Sequence, residues 1–258
     1  MKMLVCIKQV PDMESRFKVN SEGVWYDEND LAFRMNEYDE YAVEQAIRIK
    51  EQLGGAADIT ILSIGPDRVV EVIKKGLAMG GDRGVHIKDE HPYQKDPWQV
   101  ASVIAAFARD KTFDLILTGM QSQDRGSAQV GVIVAELLGY ACVTTLVGFQ
   151  LTGGIVTAKR ELEGGMRGVV KLKLPAVVTC QLGLNNPRYP TLPNIMKARQ
   201  KELLAYPILS FLSEESTTTT ERMYPPEKKG RGLVLEGEIN ETVDKLVAIL
   251  KEKTKVLR

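Results

Sequence analysis

The sequence has few of the residues from which metal centres and disulfides are built. Its 258 residues include two histidines, His86 and His91, and three cysteines, Cys6, Cys142 and Cys180. The cysteines are odd in number and show no CxxC spacing, so we expect neither a zinc site nor a disulfide framework. The sequence has no Ser, His and Asp in the order of a catalytic triad, and it has no activated cysteine near a histidine. It therefore indicates no nucleophile. We therefore assign no catalytic residue and no metal ligand, and the sequence favours a binding or carrier protein.

An excess of one charge and long apolar runs are also lacking. The 34 Lys and Arg residues balance 34 Asp and Glu residues, whereas nucleic-acid-binding proteins usually carry a basic excess. No apolar run reaches the ~20 residues that span a bilayer, and the N-terminus enters a strand pattern at once. We therefore expect a cytoplasmic protein with no transmembrane segment and no nucleic-acid partner.

Short apolar runs alternate with helical patterns over the first half of the chain. Residues 3–7, 59–64 and 115–118 are mainly apolar runs of strand length, as expected for strands that are buried on both faces. Asn36 and Pro97 suit the first turns of two of the intervening helices. This alternation predicts an α/β fold with a Rossmann-like, doubly wound parallel sheet.

The pattern of predicted elements changes in the second half of the chain. Short strands separated by glycine pairs at 153–154 and 164–165 predict β-hairpins added to the edge of the sheet. Prolines and a run of four threonines follow, and one amphipathic helix is expected at 238–253. We therefore divide the chain into an α/β nucleotide-binding domain (1–184), a Pro-rich loop (185–200) and a linker with an extended C-terminal helical arm (201–258).

A glycine-bounded loop, residues 119–131, follows the third apolar run and opens a helix expected at 128–138. Loops at the carboxyl ends of parallel strands form the binding crevice of such sheets, and a helix N-terminus there suits a phosphate. Gly126 lets the backbone come close to a ligand, and the Ser and Gln side chains of the loop offer neutral hydrogen bonds. The alternative is a plain strand-to-helix turn that Asp124 or Ser127 caps.

The second distinctive feature is the Pro-rich segment 185–198. Its prolines lower the entropy cost of docking. Three residues supply apolar anchors, namely Leu192, Ile195 and Met196. The expected basic rim consists of Arg188, Lys197, Arg199 and Lys201. This combination favours a partner-recognition surface. The alternative is a loop whose apolar residues fold back onto the domain.

Taken together, these segments resemble the beta (small) subunit of electron-transfer flavoproteins along nearly the whole chain. The resemblance is carried by residues 4–12, 35–39, 78–84, 119–131, 174–179 and 186–198, of which the last is the most specific. It implies an adenine-nucleotide-binding type of fold and a heterodimer with a larger alpha subunit that holds most of the FAD. It further implies that acyl-CoA or other flavin dehydrogenases supply the electrons and that a quinone-reducing system or another acceptor receives them.

The resemblance also implies that this subunit binds a structural AMP. The implied contacts are Cys6, Asn36, Glu37, Tyr38, Asp39, Ile64, Gln121, Ser122, Gln123, Asp124, Arg125, Gly126, Ser127, Ala128, Gln129, Val130, Gly131 and Val132. The partner-recognition residues would be Arg188, Leu192, Pro193, Ile195, Met196 and Lys197. Glu161 would influence where the FAD domain rests, and the terminal helix would dock on the alpha subunit.

Two other functions remain open from the sequence. Relatives that bind a second FAD in place of AMP, and bifurcate electrons from NADH, typically carry Asp-Gly-Asp-Thr-Ala-Gln-Val-Gly in this loop. Residues 124–131 keep the Ala-Gln-Val-Gly half but depart from that pattern at Arg125, Gly126 and Ser127, which favours AMP. The other alternative is a stand-alone adenine-nucleotide sensor that works without flavin.

Overall fold

The apolar runs of the sequence become strands, and the periodic segments between them become helices. The structure is a computed structural model that describes residues 1–227, 230 and 232–254. Its strands are β1 (Lys2–Cys6), β2 (Gln9–Pro11), β3 (Phe33–Met35), β4 (Asp58–Gly65), β5 (Arg83–Lys88), β6 (Leu115–Gly119), β7 (Ala141–Thr152), β8 (Ile155–Glu161), β9 (Arg167–Lys173), β10 (Ala176–Cys180) and β11 (Leu203–Pro207). Its α-helices are α1 (Glu37–Gln52), α2 (Val70–Met79), α3 (Pro97–Arg109), α4 (Val130–Leu138), α5 (Leu192–Ala198) and α6 (Ile239–Lys253).

Nine of these strands form one sheet, in the order β11-β5-β4-β1-β6-β10-β7-β8-β9. All neighbours from β11 to β7 are parallel, whereas β7, β8 and β9 pair antiparallel at one edge. β2 and β3 form a separate antiparallel pair. The predicted α/β sheet with added hairpins is therefore confirmed.

Successive residues of β1 show why the sheet needs helices on both faces. Met3 and Val5 pack into a core with residues of α1 and α2, while Leu4 and Cys6 pack into a second core with residues of α3 and α4. Side chains alternate across a strand, so a strand that is apolar at every position must be covered twice. This double covering confirms the doubly wound fold.

The expected domain division needs one correction. β11 extends the sheet beside β5, and residues 1–223 form one compact unit. Residues 201–223 therefore belong to the main fold rather than to a linker, because β11 makes ladder hydrogen bonds with β5 along one of its sides. Tyr224–Arg258 forms a separate unit that contains α6, whose apolar Ile239 is 75% exposed. Residues 228, 229, 231 and 255–258 of the predicted arm lie outside the described residues.

Candidate functional site

The main crevice lies where the connections of the sheet change direction. β1 lies between β4 and β6, and the chain builds outward to β5 on one side before it returns to β6 on the other. Ligands of open α/β sheets bind at such a reversal, outside the carboxyl ends of the strands. The crevice has a volume of about 940 Å³, counting the part open to solvent.

Asp39, in the first turn of α1, connects the two strands that flank this reversal. Its Oδ2 accepts a hydrogen bond from the Lys8 amide at 2.6 Å, and its Oδ1 accepts one from the Gly119 amide at 3.0 Å. Burial raises the pKa of Asp39 to about 7, although the bonds from Lys8, Asn36 and Gly119 oppose that rise. A Cβ at position 119 would lie 2.2 Å from Asp39 Oδ1. Glycine is therefore the residue that allows this close approach.

Asn36 holds the loop that follows β6. Its Nδ2 donates to the Gln121 carbonyl at 2.9 Å, and its Oδ1 accepts from the Gln123 amide at 3.0 Å. We expected Asn36 to cap a helix; it does precede α1, but its side chain makes no capping bond. Both ends of the amide group instead bond the backbone of the loop. Asn36 thus fixes the shape of residues 121–123.

The first residues of α1 support the same loop from the side. Gln121 Nε2 donates to the Tyr38 hydroxyl at 3.1 Å, and Gln123 Nε2 donates to Glu37 Oε2 at the same distance. Glu37 and Tyr38 therefore contact the loop rather than line the crevice. Their contact with AMP stays a prediction.

A Lys–Asp pair closes the inner end of the loop. Lys8 Nζ lies 2.7 Å and 2.6 Å from the two carboxylate oxygens of Asp124, and 3.4 Å from Ser122 Oγ. The Asp124 side chain is only 2% exposed, so it is occupied and does not cap the next helix. Burial lowers the pKa of Lys8, and Asp124 opposes this effect. Lys8 lines the crevice and was not among the predicted site residues.

Arg125 closes the outer end of the loop. Its guanidinium donates to the Lys95 carbonyl at 2.8 Å and also to the Tyr93 carbonyl. The same group lies over the Trp25 ring, 4.8 Å from its centroid, a favourable cation–π arrangement. Arg125 therefore ties the loop to the segment that precedes α3, on the opposite rim of the crevice.

The loop presents the N-terminus of α4 with no side-chain cap. α4 begins at Val130 rather than at the expected Ala128, whose φ is +53°. Gln129 precedes the helix without capping it, so the capped-turn alternative is wrong and the first amides remain available for an anion. A Cβ at Gly131 would lie 2.7 Å from Thr118 Oγ1. This glycine therefore lets α4 start close against β6.

The crevice gathers most of the predicted nucleotide contacts. The predicted residues that line it are Cys6, Asn36, Asp39, Ile64, Gln121, Ser122, Arg125, Ser127, Ala128, Gln129, Val130 and Gly131. Predicted residues outside its lining are Glu37, Tyr38, Gln123, Asp124, Gly126 and Val132. An apolar wall comes from Ile64 with Val100 and Ile104 of α3, and the two α3 residues had no sequence signal beyond helical periodicity. Burial, then the charge of Asp39, raises the pKa of Cys6, so its thiol stays neutral.

The Pro-rich segment presents apolar side chains to solvent. Leu192 is 71% exposed, Met196 63% and Ile195 40%, whereas Ala198 is buried. Pro193 and Lys197 are exposed as well. The alternative in which these apolar residues fold back onto the domain is therefore wrong. Part of the expected loop is the short helix α5.

Arg188 differs from the expected basic rim. Its guanidinium donates to Glu44 at 2.8 Å and 3.1 Å and to Glu51 at 2.6 Å and 3.0 Å. Lys201 likewise donates to the Leu77 and Gly81 carbonyls, at the end of α2. Both charged head groups are therefore bonded within the protein. They hold the segment to the domain rather than form a free basic rim.

Glu161 ends β8 at the surface, at the antiparallel edge of the sheet. Its Oε2 accepts a hydrogen bond from Gln181 Nε2 at 3.1 Å, and its carbonyl accepts one from Thr145 Oγ1 at 2.9 Å. The structure thus fixes the backbone of Glu161 while leaving its carboxylate exposed. Its role toward an FAD domain stays a prediction.

A doubly wound sheet with a crevice at its reversal defines the Rossmann-like class of folds. An uncapped helix N-terminus in that crevice is a feature that suits a small anion. Residues 23–208 match the electron transfer flavoprotein domain. The chain is 34% identical to the electron transfer flavoprotein subunit beta of Methylophilus methylotrophus, over 98% of each chain. It is 36% identical to that of Bacillus subtilis (strain 168) over the full length of both. The Homo sapiens subunit beta is 35% identical, with 98% of this chain and 97% of the human one covered.

The chain therefore belongs to the electron transfer flavoprotein family, and its full-length relatives are beta subunits. No helix within the described ranges has the length and apolarity needed to cross a membrane.

Proposed function

We propose that the chain is the beta subunit of a heterodimeric electron-transfer flavoprotein of the cytoplasm. Its alpha subunit would hold the redox-active FAD, which supplies the electron transfer. Acyl-CoA or other flavin dehydrogenases would deliver the electrons, and a quinone-reducing system or another acceptor would take them. The observation that carries this proposal is full-length similarity to beta subunits, together with two separate surfaces, a crevice at the carboxyl ends of the strands and an exposed apolar segment.

The crevice suits AMP as a structural ligand. The uncapped start of α4 offers backbone amides to a phosphate, and Ile64, Val100 and Ile104 offer an apolar wall to an adenine ring. The Asp39 and Asn36 bonds fix the backbone at Lys8, Gly119 and residues 121–123 around the crevice. The protein's part is therefore to bind and orient the nucleotide.

The geometry favours AMP over a second FAD in this subunit. Arg125 joins the loop to the Lys95 carbonyl on the opposite rim, so a longer dinucleotide would have to break that bond or pass beside it. A stand-alone sensor is disfavoured by the exposed Leu192 and Met196, because a lone monomer gains nothing from an exposed apolar patch.

The nucleotide content of the purified heterodimer tests the first part of the proposal. Denaturation should release one FAD and one AMP per heterodimer. Two FAD and no AMP would establish the bifurcating type instead, with NADH as the electron source to examine. A chain that purifies as a monomer with exchangeable adenine nucleotide would favour the sensor.

Electron-transfer kinetics test the docking surface. Leu192→Ala removes the most exposed aliphatic side chain of α5 and should raise KM for a reduced flavin dehydrogenase about tenfold, as expected for an interface anchor. FAD and AMP contents should not change, because Leu192 lies outside the crevice lining. Leu209→Ala is the matched control, since Leu209 is 80% exposed but lies outside the segment. Loss of FAD from the Leu192 variant would contradict the separation of docking from cofactor binding.

A further inference from the structure

Arg188 makes an unusually complete set of bonds to helix α1. Its backbone amide and Nε donate to Glu44 Oε2 at 3.2 Å and 2.8 Å, and one terminal nitrogen reaches Glu44 Oε1 at 3.1 Å. The terminal nitrogens also reach both oxygens of Glu51, at 2.6 Å and 3.0 Å. One guanidinium thus bridges two carboxylates that lie about two helical turns apart on α1. Only the planar fork of arginine can make this double contact.

The charges of Arg188 and its two carboxylate partners stabilise one another. The Glu44 side chain is 3% exposed, and burial alone would raise its pKa, but the bonds from Arg188 and Arg48 bring that pKa below its usual value. The bonds to Glu51 and then to Glu44 raise the pKa of Arg188. Glu44 therefore depends on its cations, since a buried carboxylate without a partner is costly.

Both ends of the exposed segment are held in this way. At the N-terminal end, Asn185 donates to the Tyr41 carbonyl at 3.0 Å, just before the Arg188 contacts. At the C-terminal end, Lys201 Nζ bonds the Leu77 carbonyl at 2.9 Å, and Ala198 is buried. Between these anchors the side chains of α5 remain exposed. This arrangement fixes the segment without using its apolar face.

We propose that Arg188 is a positioning residue that holds the segment in its docking shape and does not contact the partner itself. This inference rests on the proposed docking function of the segment. A segment that is already ordered loses less entropy on binding. Removal of the clamp should therefore weaken capture of the dehydrogenase, while electron transfer within the captured complex stays the same.

The test uses Arg188→Ala and Arg188→Lys in the complete heterodimer. We expect KM for a reduced flavin dehydrogenase to rise about tenfold in the Ala variant, with kcat, FAD content and AMP content unchanged. The Lys variant should fall between, because an ammonium cannot bridge both carboxylates. Amide hydrogen exchange of residues 189–197 should accelerate in step with KM. Arg48→Ala is the matched control, since Arg48 also pairs with Glu44 but lies outside the segment.

A milder variant covers the case in which Arg188→Ala does not fold. Glu51→Gln weakens only the exposed half of the clamp, since the Glu51 side chain is 58% exposed, and it should give a smaller rise in KM with faster exchange at 189–197. If KM rises in the Arg188 variants without faster exchange, Arg188 contacts the partner and the inference is wrong. An unchanged KM in the Arg188 variants, with a raised KM in Leu192→Ala, also overturns it. If Leu192→Ala leaves KM unchanged, it is the docking function that fails.

Discussion

Replacement of Gly119 by alanine should destabilise the compact unit strongly, for a reason that lies in one contact. The new Cβ would lie 2.2 Å from Asp39 Oδ1 and 2.7 Å from Tyr38 Cβ. The residue does not have a left-handed φ, so the penalty is steric rather than conformational. Overpacking costs about 1–3 kcal/mol, and loss of the bond from the Gly119 amide to a buried carboxylate costs about 1.5–3 kcal/mol. Because both costs arise from the same contact, we expect about 2–5 kcal/mol in total.

Urea denaturation of the purified protein, followed by tryptophan fluorescence and circular dichroism, measures this loss. The control is Gly168→Ala on the edge strand β9, where the nearest atom to a new Cβ is Leu162 Cδ1 at 3.3 Å, the end of an exposed side chain. That variant should stay within about 1 kcal/mol of the wild type. A Gly119 variant as stable as the Gly168 variant would refute the view that the Asp39 contact is rigid.

Three further predictions concern the rims of the crevice. Because burial raises the pKa of Asp39 to about 7 from the unfolded value of 3.8, the folded chain keeps a proton that the unfolded chain loses. Stability should therefore fall as the pH rises from about 4 to 7, and denaturation of Asp39→Asn should show a flatter pH profile. Asp96→Ala removes the cap of α3 and the acceptor of Thr217; it should cost about 0.5–2 kcal/mol and speed proteolysis near residues 214–223. Gly131→Ala should cost about 1–3 kcal/mol and weaken binding of the proposed AMP, as isothermal titration would show. Retained affinity would contradict close packing at the start of α4.

The parallel sheet could be predicted because its signal is local. Each buried strand carries its own apolar run, and each helix its own period, so residues such as Met3 and Ile61 indicate their surroundings directly. The start of α4 could not be placed, because the positive φ of Ala128 depends on the loop that Asn36 and Arg125 hold. β11 was missed because a short edge strand that ends in a proline, Pro207, lacks a strong pattern.

The roles of individual charged residues were the least accessible from sequence. The sequence offers Asp124 as a helix cap, but Asp124 pairs with Lys8, which lies 116 residues earlier in the chain. Arg188 was assigned to a basic rim, but it binds two carboxylates of α1. Such partners are distant in sequence, and only the folded chain determines which opposite charge is nearest.

The position of β10 has a consequence for how the protein is made. β10 pairs with β6 on one side and β7 on the other, and the Met120 amide donates to the Cys180 carbonyl at 2.9 Å. A ribosome that has not yet synthesised residues 176–180 therefore holds a nascent chain in which β6 has an open, apolar edge. Unpaired edges of this kind are prone to aggregate. The loop at 119–131 gains the bond from the Met120 amide only after residue 180 has been synthesised. We therefore expect truncated products to need chaperones, even though most residues of the crevice precede residue 180.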